Sequence, residues 1–370
     1  MSSIKKTLSR VVMFLFALLF IFFTISNLYY YNLITVTHTS KNGNNKGKIS
    51  LDGVDKSIFL IEGDNESLAA IYFIVQNIEK GEAVVYYIPT WVYGDFPDEE
   101  IDTHVSFGNI LYLANVLDSD TSLDHTLTYL RNVFSVDYDN YIFVKNGGIA
   151  RFEEQLIPNS FHTEAGSNQF IYHDKEYFQD RLGYYSSILN IFDSKSIYET
   201  SFYLDSNMSY GEITRLFRRI SSVSSLNFVN LGDEIYTFDL VDSSGEIRKT
   251  LSTRELDRSI RANKHLFQNK EIEREKAKVE VYNGCGLKGV ASQYSRYYSN
   301  NGMNVIRFGN SPENVEKTVI YVRNPNKYSV TLENVKKAFT DEPEIRQDRP
   351  YFMTTGDIVV IVGEDIIEND

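Results

Sequence analysis

The sequence predicts an α/β protein: an N-terminal transmembrane helix, one large α/β domain with a mixed sheet flanked by helices, and a small C-terminal α/β domain. Three observations predict it. Residues 11–36 form one apolar run. From Ser57 onward, short apolar strand patterns alternate with amphipathic helical patterns without internal repeats, the order that gives α/β domains. Near residue 279 a strand pattern runs into Gly284, Gly286 and Gly289 and then into a helix, opening a second unit.

The first element is the apolar run. Val11 to Ser26 reads VVMFLFALLFIFFTIS, and the flank to Val36 stays apolar and adds Tyr29, Tyr30 and Tyr31. A helix needs about 20 apolar residues to cross a bilayer, and tyrosines favour its interface. Lys5, Lys6 and Arg10 precede the run, and no Lys or Arg follows until Lys41. The positive-inside bias then keeps residues 1–10 as a cytoplasmic tail and exports the rest, giving a single-pass cell-membrane protein with an extracytoplasmic bulk. A cleaved signal peptide is the other reading, although the run is long for one and no A-x-A-like site follows. Residues 37–56 are rich in Gly, Asn and Lys and read as a flexible spacer.

Composition narrows the function classes. The net charge is -13. So acidic a chain lacks the basic face that nucleic acid requires, but it leaves metal binding open. Cys285 is the one cysteine, so no intrachain disulfide can form. That usage fits a bacterial envelope protein better than a disulfide-rich secreted one. The 26 Tyr and 24 Phe fit core packing and strand propensity, with a lipid cavity or sugar-stacking platforms as the sharper reading.

The large domain spans residues 57–267. Ser57 to Ile61 reads as a strand ending at Glu62-Gly63-Asp64. Ala70 to Val75 and Ala83 to Ile88 are two more, with a turn at Lys80-Gly81. Leu123, Leu127, Leu130 and Phe134 lie on one helical face. Tyr141 to Val144 is a strand ending at Gly147-Gly148, and Phe178 to Phe192 reads as a helix. Ser209 with Glu212 three residues on forms a capping box for a further helix. Residues 268–278 are charged and poor in apolar residues, and read as a linker to the domain at 279–366.

That second domain opens with the strand Val279 to Asn283. A helix follows from Gly289 to about Ser299, with Gly302 as its C-terminal cap before a strand through Val305. Thr318 to Val322, Val330 to Phe339 and Asp357 to Asp365 give a strand, a helix and a closing strand that ends in Gly-x-Asp. The G-x-G-x-x-G spacing invites a dinucleotide reading. Such a site wants a carboxylate about 20 residues on, at the end of the second strand. Val305-Ile306-Arg307-Phe308-Gly309 offers none. The glycines are therefore expected to form a tight strand-to-helix turn, and no dinucleotide partner is expected.

Lone candidates are few. No H-x-x-x-H or H-E-x-x-H spacing supports zinc, and no G-x-S-x-G elbow supports a serine hydrolase. Cys285 has no histidine within 279–366 to activate it. His104 and His125 sit in polar contexts, and His173 could pair with Asp174.

In their order, the segments resemble the LytR–CpsA–Psr family of envelope proteins with that family's C-terminal domain behind. Phe59 to Asp64 resembles the opening strand with its Gly-x-Asp end. Val84 to Pro89 resembles the strand entering the Ser-Ile-Pro-Arg-Asp motif. Leu127 to Val144 and Tyr203 to Ile213 resemble two later helix and strand motifs. Val279 to Gly284, Gly289-Val290-Ala291 and the closing Gly363-Glu364-Asp365 resemble the C-terminal domain. The resemblance implies an extracytoplasmic domain whose catalytic members move glycopolymers from polyprenyl-pyrophosphate carriers to the cell wall with a divalent metal, for which Mg2+ is the candidate in this chain.

The chain departs from that pattern where the chemistry lies. Thr90 and Trp91 follow Pro89 in place of Arg and Asp, and Leu68, Ala69 and Ala70 stand where a second metal-binding Asp is expected. Tyr172-His173-Asp174 replaces a paired-arginine segment. Asp64 remains as the candidate metal ligand and Arg181 as the candidate pyrophosphate contact. Against these stand a turn residue and an ordinary helix-surface residue. Losing one such electrostatic contact costs about a hundredfold or more. The expectation is an envelope protein that has lost transferase activity and binds a polyprenyl-linked glycan or cell-wall component, or acts as a scaffold. The alternative is an active metal-dependent phosphotransferase built around Asp64 and Arg181.

Overall fold

A computed structural model describes residues 2–37, 53–97, 102–148, 174–186, 194–242, 245–268, 270–339 and 341–366. Helix α1 runs over Ser2–Thr37. Its stretch Val11–Leu33 is long and apolar enough to cross a membrane. Ser26, Asn27, Tyr30 and Leu33 are partly buried, whereas residues 11–25 are exposed.

Strand β1 (Val54–Glu62) pairs antiparallel with β2 (Leu68–Asn77), and β2 antiparallel with β3 (Glu82–Ile88). The chain continues through β4 (Tyr93–Pro97), β5 (Asp102–Ser106), α2 (Ile110–Leu117), α3 (Ser122–Phe134) and β6 (Asn140–Val144). Next come α4 (Lys175–Tyr185), α5 (Ser194–Ser201), β7 (Leu204–Ser206), α6 (Tyr210–Ser222) and β8 (Ser225–Asn230). The main sheet has the order β7-β6-β1-β2-β3-β8. β1 and β6 are parallel, as are β3 and β8. Two antiparallel steps separate β1 from β3, so β1, β3, β6 and β8 all end at one edge.

Both faces of this sheet are covered, which is why its strands read as near-continuous apolar runs. Alternate residues serve alternate faces. Phe59, Ile61, Tyr72, Ile142 and Val144 pack against Phe178, Leu182 and Tyr185 of α4 and Ile213, Leu216 and Phe217 of α6. Ile58, Leu60, Phe73 and Tyr86 face the other way, toward Leu127, Leu130 and Phe134 of α3. The chain then forms β9 (Thr237–Val241), β10 (Ile247–Leu251), α7 (Thr253–Ala262), α8 (Lys264–Phe267) and α9 (Lys270–Glu275). Leu256, Ile260 and Phe267 complete the second core. A four-stranded sheet, β5-β4-β10-β9, has no counterpart in the sequence reading. Its β9 is largely exposed, so the burial pattern that marks strands is missing there.

The C-terminal elements are β11 (Lys278–Asn283), α10 (Val290–Asn300), β12 (Asn304–Asn310), β13 (Val319–Val322), α11 (Ser329–Lys336), β14 (Glu344–Arg346) and β15 (Ile358–Val362). They form a five-stranded sheet, β12-β11-β15-β13-β14. Val279, Val281, Ile320, Ile358 and Val360 bury one face beneath Tyr298 of α10 and Leu332 and Val335 of α11.

Some boundaries differ from expectation. The helix expected over 178–192 ends at Tyr185 with Ser186 as its cap, and residues 187–193 lie outside the described residues. The helix expected to reach Phe339 ends at Lys336. The segment expected as a linker contains α9, whose Ile272 is buried. Glu275 accepts the backbone N–H groups of Val330 and Thr331 and the Thr331 hydroxyl, at 2.9, 2.8 and 2.6 Å. A carboxylate on the free amides of a helix N-terminus is favourable on both hydrogen-bonding and dipole grounds.

Helix α10 joins the two domains. Nε of Arg296 donates to Asp257 of α7 at 2.8 Å. Its other nitrogens donate to the carbonyls of Asn132 and Val133 and to the Ser135 hydroxyl, at 3.1, 2.6 and 2.6 Å. Asn300 donates to the Phe134 carbonyl at 2.9 Å. These carbonyls belong to the last turn of α3, whose oxygens have no partners within their own helix. A cation at that end also suits the helix dipole. The Tyr297 hydroxyl donates to Asp137, which pairs with Arg131 at 2.7 Å. Lys56 donates to Asn301 at 3.0 Å, and burial holds its pKa below the ordinary lysine value.

Candidate functional site

The edge where β1, β3, β6 and β8 end is where open α/β sheets place ligands. Asp64 stands there, exposed, on the turn after β1. Its carbonyl accepts the Ser67 backbone N–H at 3.2 Å and the Ser67 hydroxyl at 2.6 Å. Asn65 and Glu66 are left-handed, with φ of 55° and 59°, a conformation that costs a non-glycine residue energy. The three carboxylates of this turn face amides. Asn146 donates its side-chain N–H to Asp64 at 3.2 Å and its backbone N–H to Glu62 at 2.9 Å. Asn115 donates to Glu66 at 3.2 Å. Among the described residues, no group of three or more His, Cys, Asp or Glu side chains is arranged to hold a metal.

The neighbouring positions carry apolar groups. A Cβ on Gly63 would lie 3.3 Å from the Ala69 methyl, so a small side chain faces the residue before Asp64 where the resemblance asks for a second carboxylate. After β3, a Cβ on Gly232 would meet Pro89 Cγ at 2.6 Å and Trp91 Cζ2 at 2.9 Å. Pro89 and Trp91 therefore close over Gly232 instead of presenting a cation.

Arg181 does not lie on a solvated helix face. It is 5% exposed, donates to the Tyr177 hydroxyl at 2.5 Å and lies 4.5 Å from that ring's centroid. A buried guanidinium needs such partners. His104 bridges Asp95 and Thr250, at 3.0 and 2.9 Å, and stacks on Tyr93, so it ties together β5, β4 and β10. His173 lies outside the described residues.

Beneath α6 runs a narrow apolar crevice of about 20 Å³. Phe59, Ile142 and Val144 of the sheet face Tyr185 of α4 and Tyr210, Ile213, Thr214 and Phe217 of α6. It has room for little more than one water. Two residues back along β1 and β6, the same face of the sheet turns polar. Ser57 sits opposite Asn140, and Asp55 opposite Gln76. All four are at most 3% exposed. Asp55 pairs with Arg219 at 3.4 Å. Ser57 Oγ, Gln76 Oε1 and both amide atoms of Asn140 have no protein partner among the described residues. This polar floor went unnoticed in the sequence, although Asp55 and Ser57 fall in step with the core-facing Phe59 and Ile61.

The roof of the crevice is also where α1 docks. Helix α1 packs against α5 and α6, and the Tyr30 ring lies 5.8 Å from that of Tyr198.

The three glycines form a turn in which the Gly284, Cys285 and Gly286 amides are already engaged. Asn283 Oδ1 accepts the N–H groups of Cys285 and Gly286 at 3.1 and 3.2 Å, and Asn283 Nδ2 donates to the Leu287 carbonyl at 2.6 Å. Gly289 caps α10 with φ of +92°, a region that favours glycine. Cys285 is buried.

Residues 276–365 match the family model described as LytR cell envelope-related transcriptional attenuator, C-terminal type. The C-terminal unit is therefore a LytR-type domain. No curated protein matches the chain. Among solved structures, TagT bound to LI-WTA is 15% identical, covering 62% of this chain and 98% of that one, with a TM-score of 0.41. Bacillus subtilis TagV is 10% identical, covering 59% and 98%, with a TM-score of 0.45. The LytR-CPS2A-psr family protein YwtF (TagT) with bound octaprenyl pyrophosphate lipid is 15% identical, covering 62% and 98%, with a TM-score of 0.38.

Proposed function

We propose that this chain, which carries a LytR-type C-terminal domain, is a single-pass envelope protein of the LytR–CpsA–Psr kind that binds a polyprenyl-linked cell-wall precursor and does not turn it over. Residues 1–10 stay in the cytoplasm, α1 crosses the membrane, and both domains lie outside. The observation that carries the reading is a shared helix: the helix that could span the membrane packs against α6, which covers an apolar crevice. A lipid leaving the bilayer along α1 reaches that crevice without crossing water. The crevice is narrow, so an apolar chain enters by displacing α6 from the sheet, and it stops at the polar floor of Ser57 and Asn140.

Loss of turnover follows from the strand-end chemistry. Pyrophosphate transfer depends on cations and a metal that neutralise charge on the transferred group. Here Asp64 faces an amide, Ala69 stands where a second metal-binding Asp is expected, and Thr90 and Trp91 follow Pro89 in place of Arg and Asp. A second reading, an active Mg2+-dependent phosphotransferase, has the exposed Asp64 and the buried Arg181 in its favour.

The binding half is tested by purifying the full chain from bacterial membranes in mild detergent and analysing its organic extract by mass spectrometry. The expected result is a polyprenyl phosphate that co-purifies and is depleted in Thr214→Trp, which fills the crevice. A lipid-free extract, or equal lipid in wild type and variant, overturns the reading.

A further inference from the structure

Between the two domains lies a second cleft, of about 630 Å³, walled by α3 on one side and by α10 with Ala338, Phe339, Asp341, Asp365 and Ile366 on the other. Ligand sites favour domain junctions and have volumes of about 300–1,000 Å³. This cleft borders α3, on the opposite face of the main sheet from the apolar crevice, and does not depend on the lipid reading.

Its lining selects a chemical class. The two cations, Arg131 and Arg296, already face Asp137 and Asp257 at 2.7 and 2.8 Å. Two more carboxylates, Asp341 and Asp365, line the cleft. There is no positive field to attract a phosphate or a carboxylate. Thr128 and Asn132 lie one turn apart on α3, and Gln293 lies on α10. All three are exposed, and their side chains have no hydrogen-bond partner among the described residues. The rings of Tyr294 and Phe339, stacked at 5.0 Å and 18°, add an apolar wall.

We propose that this cleft binds a neutral saccharide, such as a segment of a glycan strand. A hydroxyl both donates and accepts, so a row of them satisfies the amide and hydroxyl side chains of Asn132, Gln293 and Thr128 together. The C–H face of a sugar ring covers the Tyr294–Phe339 pair. A hydrocarbon chain would leave the Thr128, Asn132 and Gln293 side chains unpaired, at a cost for each group. The saturated Arg296 network holds the two walls in register, so little ordering is needed on binding.

The test uses the full chain in detergent micelles and the β-1,4-linked tetramer of N-acetylglucosamine as probe, measured by isothermal titration calorimetry. Asn132→Trp and Gln293→Trp fill the cleft from exposed positions. The expected result is saturable binding that each variant weakens about tenfold or more, with unfolding temperature and co-purifying lipid unchanged. Absence of saturable binding, or affinity unchanged in both variants, overturns the proposal. So does tighter binding of an anionic oligosaccharide of equal length. Loss of lipid with the tetramer site intact counts against the crevice alone.

Discussion

Glu280 is fully buried, yet its carboxyl stays below the ordinary glutamate range. Burial opposes ionisation, but hydrogen bonds from the Thr355 and Tyr282 hydroxyls and from the Thr355 and Gly356 backbone outweigh it. A lowered folded pKa gives stability that is complete above the unfolded value, about 4.3, and is lost as pH falls through the folded value. Thermal unfolding of wild type against Glu280→Gln should therefore differ most near neutral pH, with the gap closing on acidification. A gap independent of pH would refute this account. Gly284 makes a packing claim: a Cβ there would lie 2.8 Å from Val315, 2.9 Å from Ile361 and 3.0 Å from the Val362 carbonyl. Gly284→Ala should cost about 1–3 kcal/mol in chemical denaturation, and a neutral result would contradict the close approach. At this scale the sequence identified the turn glycines and the end of β1. It did not reveal that Arg181 is buried, because a lone arginine on a helix carries no burial signal.

Helix α6 shows how far local pattern carries. Ser209 accepts from the Glu212 backbone, and Glu212 accepts from the Ser209 backbone at 2.8 Å, a complete capping box. The sequence announced it because the reciprocal bonds depend on two residues three apart. Ser209→Ala should cost about 1 kcal/mol, read as a lowered denaturation midpoint. It should also reduce lipid retention, since α6 roofs the crevice. Strands β1, β2, β3 and β6 were legible for a similar reason, since burial on both faces writes continuous apolar runs. The sheet around β4, β5, β9 and β10 was not, because β9 exposes most of its side chains.

The union of the two domains is a property of the whole molecule. It rests on Arg296, Tyr297, Asn300 and Asn301, polar residues on one helix that sequence pattern reads as a solvated face. Only the fold brings the end of α3 to meet them. Arg296→Ala would leave Asp257, whose side chain is 14% exposed, without its cation. A loss of about 2–3 kcal/mol is expected, the scale of hydrogen bonds to charged groups, together with faster proteolysis between residues 262 and 278. Unchanged stability and cleavage would show that the domains are joined by other contacts.

The large domain is proposed here to bind a polyprenyl lipid without transferase chemistry. The most direct measurement incubates the full chain in detergent with a radiolabelled polyprenyl-pyrophosphate-linked saccharide and Mg2+, and follows release of polyprenyl phosphate. The account predicts bound, intact lipid with no release above the protein-free control, in wild type and Asp64→Ala alike. Metal-dependent release that disappears in Asp64→Ala would contradict it.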